Sequence, residues 1–204
     1  MYRLLTLTRS FRRIVLLATI CIAFIVLVLV ASPIIIIPPI NPVQPVPVFV
    51  TEYGWHSRLV LPTSRDILIQ YAYGDWKYYA LNQQNWRNTI AALIKPTPAA
   101  LGRRTFSNFS DFQQSTAQTN ATILSFQVSK AKVSQLLESL NNRFNRQISS
   151  EVNNNLTKLN LVKDDQDYTL VHNSNHELVL WLRKLDCKVK GLVIWANFRV
   201  KTPS

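Results

Sequence analysis

The chain has 204 residues and a mass of 23.4 kDa, which is room for one ordinary domain with an appendage but not for two full domains. Hydrophobic residues make up 48%, charged residues 17%, and mean hydropathy is +0.04, a balance that excludes both a disordered tail and a polytopic membrane protein. The net charge is +12 with a pI near 10.1, and two cysteines and three histidines exclude a disulfide framework and a four-thiolate zinc site, and leave a His-rich cluster needing nearly every histidine.

From Ile14 to Ala31 the chain carries no charge, and Thr19 is its polar side chain. At 1.5 Å per residue the run spans about 27 Å, close to the roughly 30 Å hydrocarbon core of a bilayer. Arg3, Arg9, Arg12 and Arg13 precede it with no acidic residue among them. The positive-inside rule then predicts a cytoplasmic N-terminus (1–13), a transmembrane helix (14–31) and an extracytoplasmic remainder. A cleaved signal peptide competes, but the apolar run exceeds the usual core length, and the small-residue site near Ala31 is poor, with Pro33 close behind. Cys21 lies inside the span as a small apolar packer.

Residues 32–47 hold six prolines: Pro33, Pro38, Pro39, Pro42, Pro45 and Pro47. Proline fixes φ and removes an amide donor, so this stretch is expected to be an extended polyproline tether. Ile34–Ile37 offers an alternative, as a prolongation of the membrane segment.

Residues 48–204 read as one α+β domain. Val48–Glu52 and Arg58–Pro62 have strand character, and Ile67–Tyr73 alternates as a third strand. Trp86–Ile94 reads as a helix ending before Pro96. Ala121–Val128 reads as a strand. Val133, Leu136, Leu137, Leu140 and Phe144 form one apolar stripe of a helix over Lys130–Arg146, with Ser129 as its N-cap. Asn153–Asn155 and Lys163–Asp167 read as loops, Asn175–Leu185 as a helix, and Gly191–Val200 as a closing strand or two. The irregular mixing of strands and helices argues for α+β rather than a doubly wound sheet. No Gly-rich phosphate loop is present, and no cofactor is expected.

Three segments do not look like packing material: Gly54-Trp55-His56-Ser57-Arg58-Leu59-Val60-Leu61-Pro62, then Gln70-Tyr71-Ala72-Tyr73-Gly74-Asp75-Trp76-Lys77-Tyr78-Tyr79, then His172-Asn173-Ser174-Asn175-His176-Glu177. In this order they resemble an uncharacterised family of exported or membrane-anchored bacterial proteins, whose pattern runs G-W-H-[ST], then E-[FY]-G-[WY]-G-D, then a Cys-Asn pair opening a late helix. That order is similar to the circularly permuted papain-like enzymes, NlpC-type peptidases and lecithin:retinol acyltransferase-like enzymes among them. The resemblance implies a permuted papain-like fold with His56 as base, Gln70 as the third polar group and position 174 as nucleophile. It implies Trp55, Asp75, Asn173 and Asn175 as the binding surround.

The chemistry of that arrangement is coherent. Free amides and the helix dipole at a helix N-terminus favour a thiolate and can hold an oxyanion. A histidine takes the proton, and a third group fixes its tautomer. This sequence departs from the pattern twice, with Ser at 174 where the family has Cys and Gln at 70 where it has Glu. A serine hydroxyl needs a strongly oriented base, so both departures weaken nucleophile activation.

Plainer readings stand beside these. Ser174 and Glu177 fit an S-x-x-E capping box, which alone would account for the serine. Gly74-Asp75 is a hairpin signal. His172, His176 and His56 are enough for a three-histidine zinc site by count, but Ser174 opens the helix and the i, i+4 spacing loses its meaning, so no metal is expected. Lys130, Lys132, Arg143 and Arg146 read as a solvated face. Nucleic acid is not an expected partner of an exported domain. The reading is a membrane-anchored, degenerate papain-like module that binds a cell-wall peptide, lipid or envelope protein. An active amidohydrolase or acyltransferase using Ser174 and His56, and a structural interaction protein, are the alternatives.

Overall fold

A run this apolar satisfies its backbone polar groups within itself, and it is helical: α1 spans Tyr2–Ala31 in a computed structural model that describes residues 2–63, 66–83 and 95–202. The helix thus starts upstream of the predicted 14–31 segment. Within it, Ser10–Leu29 is long and apolar enough to cross a bilayer, and none of that window is buried by the rest of the chain. The same length and composition also serve a signal sequence. The helix expected over Trp86–Ile94 lies outside the described residues.

The segment after α1 corrects the expectation of a polyproline tether. Ile34–Ile37 forms β1 at the centre of a small sheet, parallel to β10 (Phe198–Val200) and antiparallel to β9 (Lys188–Lys190). Ile34 and Ile36 are buried in the main core. The prolines punctuate this strand, with Pro33 just before it and Pro38-Pro39 just after. Pro45 and Pro47 lie in β2 (Pro45–Tyr53), where β6 pairs with them before the register with β3 begins at Phe49. Those prolines sit where the strand has one neighbour, so their missing N–H leaves no gap in the sheet.

Among the described residues the larger sheet is antiparallel throughout, in the order β6-β2-β3-β4-β5-β8-β7. Its other strands are β3 (His56–Pro62), β4 (Leu68–Asp75), β5 (Thr97–Phe106), β6 (Thr122–Ser129), β7 (Val152–Asn154) and β8 (Leu159–Tyr168). Side chains alternate across the pleat. Val48, Val50, Leu59, Leu61, Tyr71 and Tyr73 join one core with two helices, α3 (Lys130–Arg146) and α4 (Ser174–Lys184). The opposite residues Phe49, Val60, Leu68 and Phe106 pack on Phe112 of α2 (Phe109–Ala117). The fold is mixed α+β, with helices on both faces of an antiparallel sheet.

The predicted stripe of α3 is realised, with Val133, Leu136, Leu140 and Phe144 all buried, although Ser129 makes no side-chain capping bond. Two expected loops are strands instead. Asn153 and Asn154 belong to the edge strand β7, and 163–167 lie inside β8, paired with β5 at Lys163↔Ala100 and Asp167↔Pro98. Their charges look like loop, but Asp164 and Asp165 are engaged by Arg143 and Arg146 of α3. Ion pairing across the layers thus overrides weak strand propensity. Of Gly191–Val200, only the last three residues form a strand.

Burial of β1 has a measurable consequence. Ile36→Ala in the full chain is expected to destabilise the domain by about 2–5 kcal/mol in denaturant unfolding, the usual range for emptying a buried Ile site. A free tether at this position would leave the midpoint unchanged.

Candidate functional site

The first turn of α4 is built by Asn173. Its backbone is extended, and its side-chain Oδ1 accepts from the amides of Asn175 and His176 at 3.0 and 3.2 Å. Asn173, not Ser174, is therefore the N-cap. Glu177 does not close a capping box on Ser174 either. Its Oε1 accepts from Arg143 and from Trp181 Nε1, while Oε2 stands 3.2 Å from His172 Nε2. Arg143 also makes a two-pronged contact with Asp164, at 2.7 Å on each arm. Arg143 was expected on a solvated face, yet its side chain is 15% exposed. Burial alone would lower its pKa, but Asp164 and Glu177 outweigh that and hold it above the ordinary value. The cluster ties α3, β8 and α4 together at the point where α4 begins.

Relieved of capping, Ser174 is the first residue of the helix, and its Oγ lies 2.9 Å from His56 Nδ1. Its own backbone amide has no protein acceptor among the described residues, as expected for the first turn of a helix. The structure thus brings His56 and Ser174 together from 118 residues apart.

Gln70 is placed differently. It pairs with Val60 across β3, four residues along the strand from His56 and so about 13 Å away at 3.3 Å per residue. Its amide is fully engaged: Oε1 accepts from Arg58 at 3.0 Å, and Nε2 donates to Thr51 Oγ1 and Tyr53 OH at 3.1 and 3.2 Å. Among the described residues, Ser174 Oγ is the imidazole's one hydrogen-bond partner.

Arg58 is the functional neighbour that sequence reasoning passed over. It shares the pleat face of His56, is buried, and stacks its guanidinium 4.1 Å from the centre of the Tyr53 ring. The signal was available, as a cation two residues along a strand from a histidine. Burial lowers the His56 pKa, and the Arg58 charge lowers it further. Tyr79, which closes the second of the three segments, lies with its ring centroid 5.8 Å from that of the imidazole.

The proposed binding residues are shared among several tasks. Asn175 donates from Nδ2 to the Trp55 carbonyl at 3.1 Å, and its Oδ1 is buried without a partner. Trp55 is exposed and meets the Trp195 ring edge-on at 4.2 Å. Asp75 does not make the expected hairpin. β4 runs through it, and its carboxylate accepts from the Tyr78 amide and Thr97 Oγ1, capping a helical turn over Trp76–Ala80. Gly74 is required beside it, because a Cβ there would stand 2.6 Å from the Tyr79 ring. His172 faces Glu177 and His176 faces Asn173, so the three histidines have three different partners. Cys187 is buried, with its thiol pushed up to about 12 by burial and then by Asp186. A separate apolar groove of about 690 Å³ between β2, α2 and α3 shares no residue with this site.

No protein-family model, curated protein or solved structure matches the chain.

Two outcomes test this geometry. Asn173→Ala is expected to cost about 1 kcal/mol and to speed hydrogen exchange at the Asn175 and His176 amides. Ser174→Ala leaves both amides protected. The second outcome concerns pH. Because the folded-state value of His56 lies below the unfolded one near 6.5, its contribution to stability is complete above about pH 6.5 and is lost as pH falls through the folded value. Arg58→Gln is expected to raise the His56 titration midpoint in imidazole NMR. The rise stops short of the ordinary value, since burial, the larger cause, remains.

Proposed function

We propose that this is a membrane-tethered module of permuted papain-like design in which the reactive position is retained as a binding element rather than as a working nucleophile. The order of parts supports the papain-like reading: a histidine opening a strand, followed much later by a small polar residue in the first turn of a helix. The observation that carries the inactive reading is the surroundings of His56. A base that receives a serine proton becomes a cation, and it needs an acceptor behind it to be stabilised. His56 has Arg58 nearby instead, and the group at position 70 is committed to Arg58, Thr51 and Tyr53. Ser174 is itself buried, and the amides of Asn175 and His176 that would serve an oxyanion are held by Asn173.

A ligand with a polar group for the Ser174–His56 pair fits this site better than a reaction does. A second reading, a slow acyl hydrolase or acyltransferase, is favoured by the 2.9 Å contact itself and by the unpartnered amide of Ser174.

The full chain in phospholipid discs separates them. Under the binding reading, native protein takes up a fluorophosphonate probe no faster than Ser174→Ala. Ser174→Cys, with Cys21→Ser and Cys187→Ala, is expected to react with iodoacetamide in a His56-dependent way, because a thiol beside an imidazole at a helix N-terminus ionises readily. His56-dependent labelling of native Ser174 would establish the enzyme instead. Inert Ser174→Cys would remove the site altogether.

A further inference from the structure

The end of the domain that carries Ser174 and His56 is also the end joined to α1. The last residue of the membrane-length window is Leu29, the helix ends at Ala31, and β1 begins at Ile34. Two helical residues and a short extended step place the start of the sheet about 10 Å beyond the hydrocarbon edge, against a headgroup layer about 5–8 Å thick. The junction is braced. Asn197 Nδ2 donates to the Ala31 carbonyl at 3.2 Å, and the Ile34 amide donates to the Asn197 carbonyl at 2.7 Å. Loop 191–197 is thereby fixed beside the helix end, and the same loop reaches the site, since Trp195 packs on Trp55, next to His56.

Apolar side chains are exposed on the segments that converge there. Trp55 is 68% exposed, Leu192 53% and Ile194 42%. Leu170 and Val171 are 57% and 77% exposed at the tip between the paired residues Thr169 and His172, directly ahead of Ser174. Isolated exposed apolar residues are ordinary, but several gathered at one end of a domain mark an interaction surface. Tryptophan with aliphatic neighbours is the composition that suits a bilayer interface. The opposite end, where α4 finishes and α3 starts, is charged instead, with Lys184 exposed and Lys132 paired to Asp186.

We infer that this rim — Trp55, Leu170, Val171, Leu192 and Ile194 — seats in the headgroup region of the membrane into which α1 inserts, so that the buried Ser174–His56 pair lies directly behind a lipid-facing rim. The inference deepens the binding reading of that pair and rests on it for the ligand class, an amphiphile whose polar part reaches Ser174 while its apolar part stays with the bilayer. The occupant is a bilayer and not a partner protein, because a tether of two residues leaves the rim no room to face away from the membrane surface.

The test uses the full chain with Cys21→Ser and Cys187→Ala in phosphatidylcholine–phosphatidylglycerol vesicles, spin-labelled singly at Val171→Cys, Leu192→Cys or Lys184→Cys. Labels at 171 and 192 are expected to collide severalfold more with dissolved oxygen, and severalfold less with a water-soluble nickel chelate, than the label at 184. Equal values at all three positions would overturn the inference, and a surface reserved for a protein partner would give that result. The Ser174→Cys reactivity assay reads the pair independently of depth. Lipid-exposed rim labels with an inert Ser174→Cys would leave the docking face standing and remove the pair. A reactive Ser174→Cys with water-exposed rim labels would do the reverse.

Discussion

Arg143 lies between Asp164 of β8 and Glu177 of α4, and the position of the first turn of α4 follows from it. A guanidinium offers several donors in a fixed plane, so it can serve two carboxylates at once where a lysine would serve one. Both acceptors are almost wholly buried, with side-chain exposures of 1% and 3%. Such a cluster adds little net stability over an apolar equivalent, but removing one member leaves the others uncompensated. What it contributes is position. Leu178 and Leu182 would accept several rotations of α4 on the sheet, whereas the charges accept one.

Once that turn is placed, the chemistry at Ser174 depends on a division of labour between adjacent residues. Asn173 takes the capping role that Ser174 was equipped to fill, and the serine hydroxyl is left to face the imidazole. The neighbourhood that brings the two together also limits what they can do. Burial and the Arg58 charge favour the neutral ring, which can accept a proton but does not stabilise the cation that results. The contact between Ser174 and His56 thus sits in surroundings that favour the uncharged imidazole.

The other constraint is the shortness of the connection between α1 and the sheet. With Ile34 and Ile36 inside the core, the domain has no long leash, since only Ser32 and Pro33 separate α1 from β1 and Asn197 bonds to both Ala31 and Ile34. A surface that looks like unexplained apolar exposure on the isolated domain lies at that junction, beside the candidate site.

Much of the fold was legible in the sequence because it rests on local periodicity. The uncharged run predicts α1, the stripe from Val133 to Phe144 predicts α3, and alternation predicts β2, β3, β4 and β6. The pairing of a strand histidine with a residue opening a late helix was also legible, through motif order. Tertiary structure alone decided the remainder, since each point depends on partners remote in sequence. Ile34–Ile37 is a strand only because β9 and β10 flank it, and residues 163–167 are strand because Arg143 and Arg146 neutralise their acids. Asn173 rather than Ser174 caps α4, and the serine meets His56 from 118 residues away. Gln70 is separated from His56 by strand register, a quantity that no local pattern encodes. Periodicity reports which face of an element is apolar; it carries no information on which distant side chain will meet it there.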